Sequence, residues 1–308
     1  SQDNDALNQW IVLPEDRVAS TGVEKAARSM TEALAGMTHP DGQIALFNDA
    51  THEIAPSPRR LLQYARDVLG ADPSPRSVFP DAGYYVLDAD DLWIMIDGGP
   101  AGPEYLMAHA HADFFSYELS LLGERFVVDG GVYQYAAGPM RDHVRGTAAH
   151  NTVQIDGLDQ IECWDAFRVA RRDAPKEVSW RETGSGAVFE GTFDGYQSRV
   201  GDALSHRRRV EIDAESRCVT VDDRVRGRGK HWVRSRIHLH PEVNVHRDAN
   251  HIHVVRGDTS ARIEVEHGTL HRENGWYCPR FGVRHRVCVL AIDTVAPCPA
   301  HLSYRIWY

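Results

Sequence analysis

Asp72-Pro73-Ser74-Pro75-Arg76-Ser77-Val78-Phe79-Pro80 divides this sequence into two unlike parts. Prolines so close together disfavour helix and stiffen the backbone, so 72–80 reads as a linker. Before it the pattern is helical. Val18, Val23, Ala26, Ala27, Met30, Ala33, Leu34 and Met37 give a rough helical stripe within 6–37, with Gly36 near its end. Pro58 to Gly70 reads as a second helix, with proline in the first turn and glycine at the end. After the linker the sequence turns strand-like: Tyr84–Leu87, Leu92–Ile96, Phe126–Val128, Thr152–Ile155, Arg209–Ile212, Cys218–Val221 and Arg286–Ile292 are apolar, β-branched runs separated by Gly, Asp and Pro turns. The expectation is a mainly β chain, a large antiparallel sandwich over 73–308, preceded by a short helical segment over 1–72 that cannot enclose a core of its own.

Composition narrows the function classes. The chain has 308 residues, 42% hydrophobic and 25% charged, as expected of a globular protein with a substantial core. No stretch approaches the ~18 uninterrupted apolar residues that span a membrane, and the first residues, SQDNDALNQW, carry no secretory signal pattern. A net charge of -10 argues against nucleic acid as a partner. The positive charge is nearly all arginine, whose planar fork suits carboxylates and sulfates. Five cysteines without a CxxC pair fit neither a cysteine zinc site nor a complete disulfide framework.

The chemistry concentrates in His109-Ala110-His111-Ala112-Asp113, followed by Asp129 and by His150-Asn151. Read as an extended strand, the motif projects His109, His111 and Asp113 to one face. Imidazole nitrogen and carboxylate oxygen are both good zinc ligands, and a spare histidine beside them suits proton transfer. Six further histidines between 231 and 253 read as polar strand faces.

Further motifs follow in order: Asp129-Gly130-Gly131-Val132-Tyr133-Gln134-Tyr135, then Arg141, Arg145 and Thr147-Ala148-Ala149-His150-Asn151-Thr152, then Asp156-Gly157 and Trp164-Asp165-Ala166-Phe167-Arg168. Over Ala108 to about Arg172 the chain resembles the heparinase II/III-like polysaccharide lyases. Asp41-Gly42-Gln43-Ile44 and Phe47-Asn48-Asp49 resemble the end of that family's α/α toroid. The resemblance implies an α/α toroid followed by a β-sandwich, with the active site between them, so the chain looks like the C-terminal part of a longer bacterial lyase, periplasmic or secreted. It implies Zn2+ held by His111, Asp129 and His150, and a catalytic role for His109. Its other catalytic groups come from the toroid, so this chain alone lacks part of the site.

Such a lyase cleaves uronic-acid-containing polysaccharide by β-elimination. It removes the proton alpha to the sugar carboxylate and protonates the departing glycosidic oxygen, work for which His109 is suited. Arg141 and Arg145 are candidates for contact with substrate anions, and Tyr133, Tyr135 and Asn151 for further substrate contact, although the two tyrosines suit a buried place in the sandwich better than one in the cleft. The partners expected are an acidic polysaccharide or oligosaccharide and the upstream toroid of the same parent protein, and a homodimer is compatible with both. Two other readings stand beside this one. The first is a non-catalytic, carbohydrate-binding or structural sandwich braced by its metal. The second is an iron(II) oxygenase using His111, Asp113 and His150 as a facial triad, although no arginine follows His150 until Arg168.

Overall fold

A computed structural model describes residues 21–308 apart from 71, 104, 202, 249 and 250; the first part of the helix expected over 6–37 lies outside the described residues. Helix Thr21–Gly36 and helix Pro58–Leu69 form where the sequence predicts them. The second starts on Pro58 and is closed by Gly70 in the left-handed conformation (φ 68°), whose N–H reaches the Arg66 carbonyl. Ala33 and Met37, at the end of the first helix, pack against Phe79, Val86, Trp93 and Met95.

The remainder is antiparallel β-structure in two layers. One layer is an eight-stranded sheet built from Lys176–Glu182, Gly186–Phe193, Ser205–Asp213, Cys218–Arg226, Ala300–Trp307 and the strands between Asn244 and His267. Opposite it lie a five-stranded sheet over 78–127 and a four-stranded sheet made of Val153–Ile155, Lys230–His238, Thr269–Arg280 and Val283–Pro297. The five- and four-stranded sheets meet where Val127 bridges Leu239 and the Val128 N–H donates to the His238 carbonyl. The last residues of the expected linker are not free chain, since Val78–Phe79 pairs with Tyr84 and Tyr85.

Strand Leu92–Asp97 shows why the apolar runs are uninterrupted. Leu92, Ile94 and Ile96 face the main core between the layers, while Trp93 and Met95 face the helical side. Both faces are covered, so polar alternation has no place there. The core also holds a buried ion pair, in which Arg208 Nε and Nη2 each donate to Asp223 at 2.7 Å.

The segment between the helices, 37–52, is fastened to the five-stranded sheet by buried charge. Arg125 donates to Glu118 (3.0 Å), to Asp41 (2.7 Å) and to the carbonyls of Gln43 and Ile44 (3.0 Å each), and Glu118 accepts from the Leu46 N–H. Removing one member of such a pair strands the other charge in the interior. Arg125→Ala is therefore expected to cost on the order of 3–5 kcal/mol in urea unfolding. Arg125→Met combined with Glu118→Gln should recover part of it. A loss below about 1 kcal/mol for the single variant, the range of exposed pairs, would show that the clamp does not hold this segment.

Candidate metal and catalytic site

The motif 108–113 is not a strand. It belongs to an irregular stretch that enters strand Tyr117–Leu121, with Phe115 in the left-handed region (φ 65°). Residues 110–116 are buried, so their backbone groups need partners from elsewhere. The His111 N–H donates to Asn48 Oδ1 (3.1 Å), and the Ala110 carbonyl accepts from Arg145 Nε (3.1 Å). The Ala112 N–H donates to the Arg145 carbonyl, and the Phe114 carbonyl accepts from Thr152 Oγ1 and Gln160 Nε2. The Phe115 carbonyl accepts from Arg208 Nη1 (2.9 Å), which also donates to the Asn151 carbonyl.

The loop brings donors together that a flat strand would spread along one face. His111, Asp113 and His150 are fully or almost fully buried, with one ligand atom from each within 4.8 Å of the others. Each ring is aimed by a carboxylate: His111 Nε2 donates to Asp49 Oδ1 (2.9 Å) and His150 Nδ1 to Asp129 Oδ2 (2.8 Å). What remains is His111 Nδ1, His150 Nε2 and Asp113 Oδ1, three buried polar atoms without a hydrogen-bond partner. Buried polar atoms are ordinarily satisfied, and two imidazoles oriented by carboxylates with a third oxygen donor form a set that zinc accepts. The residues therefore fit the metal. Asp129, expected as a ligand, is instead engaged by His150, Ser116 Oγ (3.3 Å) and the Gly131 N–H (3.3 Å), while Asp113 joins the two histidines.

The electrostatics of the pocket favour a cation. Burial pushes the Asp97 carboxyl well above its usual range, reinforced by the charges of Asp113 and Asp129. Burial likewise raises Asp129, against the pull of His150. Burial disfavours the His150 imidazolium, yet the charge of Asp129, the hydrogen bond to it and the charge of Asp113 prevail and hold it at about 9. His111 is lowered, chiefly by burial.

His109 differs from these residues. Its side chain is 55% exposed, its Nδ1 donates to Asp49 Oδ2 (2.9 Å), and it lines a cavity of about 440 Å3 with Asn48, Asp81, Tyr84 and Leu106. Tyr135 and the exposed Phe167 flank its ring, with centroids 5.7 and 5.8 Å away. Gly131 sits below this wall at φ 63°, where a Cβ would lie 2.3 Å from the Cys278 carbonyl oxygen; only glycine permits that approach.

The family description "Heparinase II/III-like, C-terminal" matches residues 71–301. The chain belongs to the heparinase II/III-like family. Similar solved structures include a heparinase III, the BT4657 gene product (18% identity, TM-score 0.71), covering 88% of this chain and 44% of that one. The heparan sulfate lyase HepC from Pedobacter heparinus matches at 18% identity and TM-score 0.69 over 88% of this chain and 45% of that one. Another heparinase III structure matches at 18% and 0.70 over 92% and 47%. The chain thus spans less than half the length of these proteins, and the likeness establishes their fold. No curated protein sequence is significantly similar to the chain. No described helix is long and apolar enough to cross a membrane.

Within this heparinase II/III-like domain, three expected substrate contacts are revised. Asn151 is fully buried: its Nδ2 donates to the carbonyls of Tyr117 and Val128, and its Oδ1 accepts from the His238 N–H. Arg141 and Arg145 lie one turn apart on helix Pro139–Arg145, both buried. Arg141 forms a bidentate pair with Asp49, and Arg145 donates to the carbonyls of the loop and of 164–166. These side chains build the site's frame. Tyr133 and Tyr135 are half-buried; Tyr135 reaches the His109 wall, while Tyr133 lies under Arg284, 5.3 Å from ring centroid to guanidinium. Among the histidines of 231–253, His231 bonds Asp156 and the Arg228 carbonyl, His238 bonds Asn151, and His253 bonds Asp248. Asn48 and Asp49 are the residues that motif spacing missed. Asn151→Ala should lower stability by about 2–4 kcal/mol, because it removes the buried hydrogen bonds to the Tyr117 and Val128 carbonyls and to the backbone N–H and ring Nδ1 of His238. Thermal or urea unfolding checks this, and an effect confined to substrate KM would return Asn151 to the binding surface.

Proposed function

We propose that this domain is the C-terminal half of a polysaccharide lyase that cleaves uronic-acid-containing polysaccharide by β-elimination. In this reading His109 is the proton-transfer group, and His111 Nδ1, Asp113 Oδ1 and His150 Nε2 hold a zinc ion. The observation that carries it is the convergence of three unpartnered buried donors directly behind an exposed imidazole that lines an open cavity. When bound, zinc supplies positive charge to a pocket crowded with the carboxylates of Asp97, Asp113 and Asp129, and so braces the motif loop.

The chain's own residues divide the remaining work. Asp49 holds the Nδ1 side of His109, which leaves Nε2 as the nitrogen for the cavity. There it can take the proton alpha to the uronate carboxylate or return one to the glycosidic oxygen as the carbon–oxygen bond breaks. Tyr135 and Phe167 offer ring faces to a sugar. Groups that neutralise the uronate carboxylate come from the preceding part of the parent protein, which acts in the periplasm or outside the cell.

The test is the full-length parent protein incubated with a panel of uronic-acid polymers, read by near-UV absorbance of the unsaturated product. His109→Ala should keep its zinc and lose ~100-fold or more of turnover. His111→Ala, Asp113→Asn and His150→Ala should lose the metal and with it thermal stability, whereas Asp129→Asn should weaken metal binding by roughly 10–100-fold. If Asp113→Asn keeps zinc while Asp129→Asn abolishes binding, the ligand set is His111, Asp129 and His150. The same two-histidine, one-carboxylate set also suits iron(II). Iron in the purified protein with keto-acid turnover would favour an oxygenase.

A further inference from the structure

Asp49 lies in the segment between the two helices, outside residues 71–301 that match the family. Its side chain is 3% exposed, and its two oxygens receive three side chains. Oδ2 accepts from His109 Nδ1 (2.9 Å), Oδ1 from His111 Nε2 (2.9 Å), and Arg141 donates to both oxygens. Asn48 turns the backbone through the left-handed region (φ 54°), and its Oδ1 accepts from the His111 N–H. The segment and the motif loop are therefore joined by both backbone and side chain.

One carboxylate thus touches the exposed histidine and the buried one. We propose that Asp49 is the positioning residue of this site, a single buried carboxylate that turns His109 Nε2 toward the cavity and His111 Nδ1 toward the cation. Arg141 fixes the carboxylate in turn, backed by Tyr135 and Phe167 at 5.2 and 5.5 Å from its guanidinium to their ring centroids. Three consequences follow. The neutral ring of His109 is the Nδ1–H tautomer, because the carboxylate can only accept. The ring of His111 presents Nδ1, not Nε2, to a metal. Loss of the carboxylate degrades metal binding and proton transfer together, although the two histidines serve different ends.

This deepens the lyase reading and rests on it, so the experiment separates the two. The chain is labelled with 15N-histidine and loaded with zinc, and the ring nitrogens of His109 are assigned at alkaline pH, where a free imidazole is neutral. Zinc affinity is measured by competition with a chelating dye. The wild type should show His109 with its proton on Nδ1. Asp49→Asn should return that ring toward the Nε2–H form and weaken zinc by roughly 10–100-fold. In the full-length parent it should lower kcat with KM little changed, because it removes orientation and not a substrate contact. A wild-type His109 protonated on Nε2 overturns the proposal without any variant, which covers the case of Asp49→Asn failing to fold. A folded Asp49→Asn with zinc affinity within twofold of wild type and an unchanged His109 tautomer overturns it too, leaving Asp49 only a partner for Arg141. A parent protein inactive on every uronan sinks the lyase reading and leaves the ring and zinc measurements intact.

Discussion

A stretch of chain without regular structure runs through the interior at 110–116, and each of its buried backbone groups has to find a partner. That requirement organises the region around it. Arg145, Arg208, Thr152, Gln160 and Asn48 are all used to meet it, which is why Arg145, on helix Pro139–Arg145, and Arg208, on strand Ser205–Asp213, are buried. The Arg208–Asp223 pair in the core serves the same end, since one arm of the guanidinium reaches the Phe115 and Asn151 carbonyls. A regular strand would have satisfied its backbone within the sheet, but with His111 and Asp113 two residues apart along one face. The irregular path is what lets them close on His150.

The strand runs were legible because sandwich strands covered on both faces leave a continuous apolar signature, as Leu92–Asp97 does. Helix Pro58–Leu69 was legible from its proline and glycine ends. The alternation His109-Ala110-His111-Ala112-Asp113 misled as to conformation, since period-two spacing describes a strand and this loop equally well. His111 and His150 do come together, with Asp113, which the sequence offered as a ligand only in the facial-triad reading, while Asp129 sits against the outer nitrogen of His150. Asp49 stood in the Phe47-Asn48-Asp49 motif, but nothing local gave it a role at the site. Its partners lie 60 and more residues away, and only the folded chain brings them to one carboxylate.

Membership of the heparinase II/III-like family and the heparinase III fold account for the architecture, and the site accounts for the functional proposal. Exposed Val23, Met30, Tyr64 and Val68 on the helices show that the helical segment presents apolar surface as well as burying it. This surface fits a protein whose solved relatives are more than twice as long as the portion matched here.

The central claim is the identity of the three donor atoms, and anomalous diffraction at the zinc edge from crystals of the zinc-loaded protein tests it most directly. The account predicts one peak within about 2.0–2.2 Å of His111 Nδ1, His150 Nε2 and an Asp113 oxygen. A peak bound through Asp129 and His150 Nδ1, or no peak in this pocket, would contradict it.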